Sequence, residues 1–251
     1  LTMAKDTQII TKISEQFSYF LQNIPETNEV PRFFSEKDGL FFASPNYWTC
    51  GFPPGSLWYL YELTGDKKWK DSATLNTLKL DEAKNRTNTH DLGFLIFCSF
   101  GNAYRITQIE EYKDVIIEAS DTLIKRFNNR VGCIRSWDHG TWQYPVIIDN
   151  LMNLEMLFWA SDITGNKTYR DIALSHADLT MKDHYRSDGS CYHLVDYDPE
   201  NGQINGKFTH QGYSDESSWS RGQAWGLYGF TMCYRMTSDE RYLHFAEKIA
   251  A

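Results

Sequence analysis

An all-α fold in two layers, an α/α toroid of inner and outer helices, is what this sequence predicts, and three observations carry the prediction. First, a turn signature recurs four times. Leu63-Thr64-Gly65-Asp66 is followed by Trp69, Ile106-Thr107-Gln108 by Tyr112, Ile163-Thr164-Gly165-Asn166 by Tyr169, and Met236-Thr237-Ser238-Asp239 by Tyr242. The aromatic always stands five residues after the threonine. This is the pattern of a tight helix–helix turn, in which Gly or a small polar residue ends one helix and caps the next. Second, the helices flanking these turns differ in kind. Residues 92–104 and 222–234 contain no Asp, Glu, Lys or Arg, whereas Glu110–Phe127, Lys167–Lys182 and Asp239–Ala251 are amphipathic. A helix apolar all round is buried, and an amphipathic one faces water on one side. Third, the distance from each turn back to its inner-helix start is nearly constant: Trp48, Asp91 and Arg221 lie 16 residues before their threonines, and Asp149 lies 15 before its own. Inner helices of roughly 22–24 Å follow at 1.5 Å per residue, so Trp48, Asp91, Asp149 and Arg221 are expected in one layer at one end.

Taken in order, Ala4–Ile24 places Ile9, Ile10, Ile13, Phe17, Phe20 and Leu21 at helical spacing and ends before Pro25, an amphipathic helix. Pro25–Pro45 reads as an irregular connection with turn residues. The four inner–outer pairs follow, making nine helices. The signature threonines are separated by 43, 57 and 73 residues, which disfavours a regular solenoid. The extra length falls ahead of each inner helix, so long loops are expected to gather at one end, where function usually resides. Tyr144–Thr164 shows the plan most clearly. Pro145 opens a β-like triplet, Val146-Ile147-Ile148, and Asp149-Asn150 stands at the mouth of an apolar helix that carries Glu155 before Asp162.

The 251 residues are read as one domain spanning 1–251; 41% are hydrophobic and 15% aromatic, enough for a sizeable core and for a sugar-facing cleft. A net charge of −8, from 25 basic and 33 acidic residues, argues against a nucleic-acid partner. The five cysteines, Cys50, Cys98, Cys133, Cys191 and Cys233, are odd in number and show no CxxC spacing, which argues against a disulfide framework and a zinc site. No charged segment followed by an apolar one opens the chain, whose first residue is Leu1, so the start reads as processed or truncated and the compartment stays open. The thirteen-residue charge-free helices are too short to span a bilayer, so no membrane partner is expected.

Asp91 and Asp149 have two readings. Asp is a favoured helix N-cap. Two close carboxylates can also divide acid and base roles, because mutual repulsion raises one pKa. Helix N-termini favour the ionised form, so burial and repulsion must outweigh them for an acid to exist near neutral pH. His193 lies in a strand-like piece, 192–199, that ends in a turn. Asp196-x-Asp198-x-Glu200 hints at calcium, but Asn201 and Lys207 stand where an EF-hand loop needs Gly and Glu, so a solvated turn is expected and no metal. Residues 211–225 are dense in donors and aromatics. They can be read as a capping loop with a core Trp225, or as a sugar site in which Arg221 pairs with a carboxylate between Trp219 and Trp225. Serine-nucleophile motifs, phosphate loops and HExxH are absent from the sequence.

Five stretches give these residues a familiar setting. They are Trp48-x-x-Gly51-Phe52-x-Pro54-Gly55, His90-Asp91-Leu92-Gly93-Phe94, Ile148-Asp149-Asn150-Leu151-Met152-Asn153, Arg186-Ser187-Asp188-Gly189-Ser190, and the run from Gly212-Tyr213 through Ser218-Trp219-x-Arg221-Gly222-Gln223-Ala224-Trp225. In this order they resemble the unsaturated glucuronyl hydrolases, glycoside hydrolase family 88, along nearly the whole chain. The resemblance implies an (α/α)6 toroid. It also implies removal of a 4-deoxy-Δ4,5-uronic acid from the non-reducing end of oligosaccharides left by polysaccharide lyases. The chemistry implied is hydration of the C4=C5 bond, with Asp149 as acid and base and Asp91 as its carboxylate partner. His193, Gln211, Arg221 and the tryptophans Trp48, Trp219 and Trp225 would hold the sugar. No metal or organic cofactor is implied, and the oligomeric state stays open. Twelve helices are expected of such a toroid against nine counted, so about three C-terminal helices are expected to be missing. An unsaturated rhamnogalacturonyl hydrolase and a non-catalytic glycan-binding fragment are the alternatives.

Overall fold

The computed structural model describes residues 3–24 and 27–251. Nine α-helices run through the described residues, one at the start and then four hairpin pairs. The chain divides into two compact units, Leu1–Asn85 with Phe94–Ala119 and Arg86–Gly93 with Ser120–Ala251.

In the first unit, α1 (Met3–Gln22) is followed by an antiparallel hairpin of β1 (Val30–Ser35) and β2 (Gly39–Ala43), then by the pair α2 (Phe52–Thr64) and α3 (Lys67–Leu78). The hairpin corrects the irregular connection expected over Pro25–Pro45, whose first residue lies outside the described ones. Its signal was the pair of aromatic runs Phe33-Phe34 and Phe41-Phe42 on either side of Lys37-Asp38-Gly39, with Gly39 at φ 80° closing the turn. The second inner helix starts as a π-helix, Gly93–Gly101, and continues as α4 (Asn102–Thr107) before α5 (Glu110–Ile124). Leu92, Phe94, Leu95, Ile96 and Phe100 are all buried, as a charge-free helix requires.

The second unit holds two short strands, β3 (Phe127–Asn128) and β4 (Cys133–Ile134), and then β5 (Pro145–Ile147). After β5 come a 3-10 segment, Ile148–Asn153, and the pair α6 (Leu154–Thr164) and α7 (Lys167–Asp183). Next are β6 (Leu194–Tyr197) and β7 (Ile204–Phe208), followed by the last pair, α8 (Ser220–Thr237) and α9 (Glu240–Ala250). Strands β5, β6 and β7 form one antiparallel sheet. Its inner face packs Val146 and Val195 against Tyr144, Tyr197, Val131 and Cys133, all buried.

The four turns share one construction. The residue after each signature threonine, Gly65, Gln108, Gly165 or Ser238, is left-handed, and its amide bonds the carbonyl four residues back. Each threonine hydroxyl donates to a carbonyl four residues back at 2.6–2.7 Å and accepts from the amide two residues on at 3.1–3.3 Å. Asp66, Asn166 and Asp239 then cap the outgoing helix through their side chains. The aromatics Trp69, Tyr112, Tyr169 and Tyr242 are all buried. Two of them tie one outer helix to the preceding one: the Tyr169 hydroxyl donates to Asp121 at 2.5 Å and that of Tyr242 to Asp178 at 2.8 Å.

One expectation is modified. The charge-free stretch 222–234 of α8 buries Gly222, Gly226, Gly229, Phe230, Met232 and Cys233, but Leu227 and Tyr228 each remain 36% exposed. Burial is therefore nearly complete for the Gly93–Gly101 helix, where only Phe97, Cys98 and Gly101 are half-buried, and partial for α8.

Candidate active site

Strand pairing assembles the site. Ile147 on β5 pairs with Leu194 on β6, and the Ile148 amide donates to the His193 carbonyl at 3.0 Å. Asp149 therefore leaves the end of β5 alongside His193. Leu194 pairs in turn with Phe208 on β7, which brings the segment after β7 to the other side of the His193 ring. There the amides of His210 and Gln211 donate to His193 Nδ1 at 2.9 and 3.3 Å. Two donors on Nδ1 leave the proton of a neutral imidazole on Nε2. That Nε2 lies 3.7 Å from Asp149 Oδ2, and neither atom has a hydrogen-bond partner.

A second contact brings in the other aspartate. The Gly93 Cα lies so close to the 3-10 segment that a Cβ there would stand 2.5 Å from the Asn153 Cα; only glycine permits that approach. The preceding residues are pinned by the His90 amide on the Ser136 carbonyl at 3.0 Å and by a β-bridge between Thr89 and Trp137. Asp91 thus stands near Asp149, with its carboxylate accepting from the Thr89 hydroxyl at 2.7 Å and 3.3 Å from His90 Nε2.

Neither carboxylate follows the capping reading. The N-cap of the 3-10 segment is Ile147, without a side-chain bond, and Asp149 lies inside the first turn. Asp91 takes its hydrogen bond from Thr89 and has His90 Nε2 beside its carboxylate.

The two environments push the carboxyl groups apart. Burial lifts Asp149, which is 5% exposed, to about 6, and the Asp91 charge adds to the rise against the pull of His90, its own amide and Arg221. Burial also acts on Asp91, but adjacent His90, the Thr89 hydroxyl and Arg86 outweigh it and hold that carboxyl below its usual range. Burial pushes His193 down to about 3, helped by His210, His184, Arg221 and His90, so the ring is neutral. The pair therefore offers a poised acid and a standing anion, the division from which acid–base roles are read.

Around them, the Arg221 guanidinium lies over the Trp219 indole, 4.4 Å from its centroid, and donates to Gln211 Oε1 at 2.5 Å. Trp219 meets the His193 ring edge-on at 4.9 Å. Trp225 sits one helical turn beyond Arg221 on α8, half-buried, edge-on to Tyr228. Asp149, Asp91, His193, Gln211, Trp219, Arg221 and Trp225 all fall in the second unit. Trp48 lies in the first, at the start of a 3-10 turn, with its ring 5.3 Å from that of Phe94. The calcium hint resolves as a turn only from Asp198 on, which accepts from the Glu200 amide and the Asn201 side chain. Asp196 is instead buried in β6 and accepts from the Tyr144 amide at 2.8 Å and the Asn205 side chain at 3.1 Å. No group of three or more metal-ligating side chains occurs among the described residues. No helix among them is long and apolar enough to cross a membrane.

The sequence reading passed over Trp137, His139, Trp142 and His210, which form contiguous rings beside His193. The signal available was the density of rings in Trp137-x-His139-Gly140-x-Trp142 just ahead of β5.

Known proteins show the same arrangement of elements. The family model Glycosyl Hydrolase Family 88 matches residues 25–249. The chain is 46% identical over 224 residues to the unsaturated glucuronyl hydrolase of Formosa agariphila, covering 88% of this chain and 56% of that protein. It is 38% identical over 246 residues to an unsaturated chondroitin disaccharide hydrolase of Streptococcus pneumoniae, covering 96% of this chain and 61% of that one. Among solved structures, an unsaturated glucuronyl hydrolase described as specific for heparin superimposes with a TM-score of 0.91 at 47% identity, over 94% of this chain and 63% of that chain. The unsaturated glucuronyl hydrolase of Bacillus sp. GL1 gives 0.82 at 32% identity, over 89% and 61%. The chain thus spans between half and two thirds of the length of these relatives. The fold class is that of these enzymes, the all-α toroid of inner and outer helices. With a family model matched along nearly its whole length, the chain belongs to glycosyl hydrolase family 88.

Proposed function

We propose that this chain is the catalytic domain of an enzyme that removes the 4-deoxy-Δ4,5-unsaturated uronic acid from the non-reducing end of oligosaccharides produced by polysaccharide lyases. The observation that carries the reading is the Asp149 carboxyl, buried, held at about 6 and with Oδ2 unpartnered beside a neutral His193. A vinyl ether needs a proton donor at one carbon and a water at the next, and a carboxyl poised near working pH supplies the first.

In this reading Asp149 gives its proton to C4, and positive charge develops over C5 and the ring oxygen. The Asp91 anion faces that charge. The Asp149 carboxylate then takes a proton from the water that adds to C5. The resulting hemiketal opens between C5 and the ring oxygen, and the hemiacetal at C1 releases the aglycone. Arg221, set over Trp219 and bonded to Gln211, takes the uronate carboxylate. Within the second unit, His193 and Trp225 complete the contacts to the sugar. No step in this sequence calls for a metal or organic cofactor.

Relatives named for unsaturated glucuronyl and chondroitin disaccharides support glycosaminoglycan-derived substrates over pectin-derived ones. The test is loss of the near-ultraviolet absorbance of the Δ4,5-uronyl group when the protein meets an unsaturated disaccharide. Asp149→Asn should lower the rate at least about a hundredfold, and the wild-type rate should fall as pH rises past 6, where the acid ionises. Undiminished turnover by the variant would remove Asp149 as the acid. Faster consumption of unsaturated rhamnogalacturonan disaccharides would favour that substrate, and binding without absorbance loss would leave a glycan-binding protein.

A further inference from the structure

One stretch of the family signature, Arg186-Ser187-Asp188-Gly189-Ser190, has no part in the reaction above. It forms a tight turn ahead of β6. A β-bridge joins Tyr185 to Cys191, the Arg186 amide donates to the Ser190 carbonyl at 2.8 Å, and Gly189 takes φ 87° to close the turn. The last helix pair holds it in place. Tyr185 meets Phe230 and Phe245 at 5.9 and 4.8 Å between centroids, and a Cβ on Gly226 would stand 1.8 Å from its hydroxyl. Lys248 on α9 donates to the Ser187 carbonyl at 3.1 Å.

Facing this turn is the loop 212–218, and the two residues that flank it aim Arg221. Gln211 on one side accepts from the guanidinium, and Trp219 on the other lies under it. Within the loop only Gly212 and Ser217 are half-buried, and Tyr213 is 98% exposed. Apolar burial therefore does little to fix its course, and hydrogen bonds must do so.

Arg186 spans the two segments. Its Nη1 donates to the Ser190 hydroxyl at 3.1 Å and the Cys191 carbonyl at 3.3 Å, within its own turn. Its Nη2 donates to the carbonyls of Asp215 at 2.7 Å and Ser217 at 3.4 Å, in the loop. The guanidinium lies over the Tyr192 ring, 3.8 Å from the centroid. Gln223 on α8 makes a second tie. Its Oε1 accepts from the Cys191 amide at 3.1 Å and the Ser218 hydroxyl at 3.3 Å, while its Nε2 donates to the Gly189 carbonyl at 2.7 Å. Each end of the Arg186 fork serves a different segment, which the single ammonium of a lysine does not reproduce.

We propose that Arg186 and Gln223 are positioning residues that brace the loop 212–218 against the 186–191 turn, so that Gln211 and Trp219 hold the Arg221 guanidinium ready for the uronate carboxylate. The proposal rests on the reading that Arg221 takes that carboxylate. The contribution is preorganisation: a guanidinium already stacked and hydrogen-bonded loses less rotamer freedom when the sugar binds. Both residues act through Arg221, and neither takes part in proton transfer.

The test measures KM and kcat for an unsaturated disaccharide and for its uronate methyl ester, using the full-length enzyme. Arg186→Ala should raise KM for the acid about tenfold. The change in kcat, and in KM for the ester, which offers Arg221 no charge, should stay under about twofold. Arg186→Lys should leave most of the loss in place. In a double-mutant cycle, Arg186→Ala should add little to Arg221→Ala, because both remove the same interaction. Equal rises for acid and ester, or full additivity with Arg221→Ala, would make the ties purely structural and overturn the proposal, as would no rise for either. Unchanged KM in Arg221→Ala alone would remove the carboxylate reading, and the proposal with it. If Arg186→Ala does not fold, Gln223→Met, which keeps the side-chain length without its polar end, carries the same comparisons. If the wild-type protein consumes neither substrate, the hydration reading falls, and calorimetric binding of acid and ester to wild type and variants still decides the brace. Binding of neither by the wild type would overturn both.

Discussion

At the scale of single residues, the chemistry depends on what surrounds a carboxyl rather than on the carboxyl itself. Asp149 and Asp91 carry the same side chain, yet one is held at about 6 and the other below the ordinary range. Asp149 lacks a partner on Oδ2, whereas Asp91 has Thr89 and His90. Such an arrangement costs stability. A carboxyl raised above its unfolded value stabilises the fold below the unfolded pKa near 4, and that contribution is lost as pH climbs through 6. Asp149→Asn is therefore expected to melt at a higher temperature than wild type at pH 8, by on the order of 2–3 kcal/mol of stability. The gap should close below pH 4. Thermal melts across this range check it, and a variant less stable than wild type at pH 8 would show that the buried charge is compensated.

At the scale of elements, close backbone approach and strand register decide which residues meet. Gly93 lets the start of the second inner helix touch the 3-10 segment that carries Asp149. Gly93→Ala should destabilise the fold by about 1–3 kcal/mol, the range for forcing extra volume into a packed site. It should also slow turnover, because Asp91 and Asp149 are set by that contact; chemical denaturation and the absorbance assay read the two effects. The helices and turns themselves were legible, since Thr64, Thr107, Thr164 and Thr237 act through bonds to their own neighbours. The β1–β2 hairpin and the π-helical start of the second inner helix were not. The hairpin's aromatic runs lack clean alternation, and Gly93–Gly101 is apolar throughout, so periodicity has nothing to distinguish one helical pitch from another.

At the scale of the molecule, several histidines are buried as neutral rings. Burial holds His184 near 4 and His193 near 3, and keeps His176 well below its ordinary value. A group whose folded pKa is depressed stabilises the fold above its unfolded pKa and loses that contribution as pH falls toward the folded value. Stability should therefore drop between pH 6.5 and 4.5, by about 2 kcal/mol for His184 and for His193 alike. Proton uptake by Asp149 over the same range offsets part of the loss. Thermal melts from pH 7.5 to 4.5 test this, and His184→Gln should flatten the slope; a slope unchanged in that variant would assign the acid sensitivity elsewhere.

By itself the sequence determined the helical class, the four turn-linked pairs and the stretches that mark the family, because these depend on residues a few positions apart. Trp48, Asp91, Asp149 and Arg221 were also readable as inner-helix starts from their spacing alone. Only the tertiary structure decided that Asp149 faces the Nε2 of a His193 whose proton is placed by the amides of residues 210 and 211, and that four rings line its flank. Those contacts join segments 44 to 61 residues apart, from Asp149 to His193 and to His210. They arise from the register of β5, β6 and β7, which no local pattern encodes. A pKa near 6 likewise depends on burial and on charges brought in by distant segments, and it exists only once the chain has folded around the group.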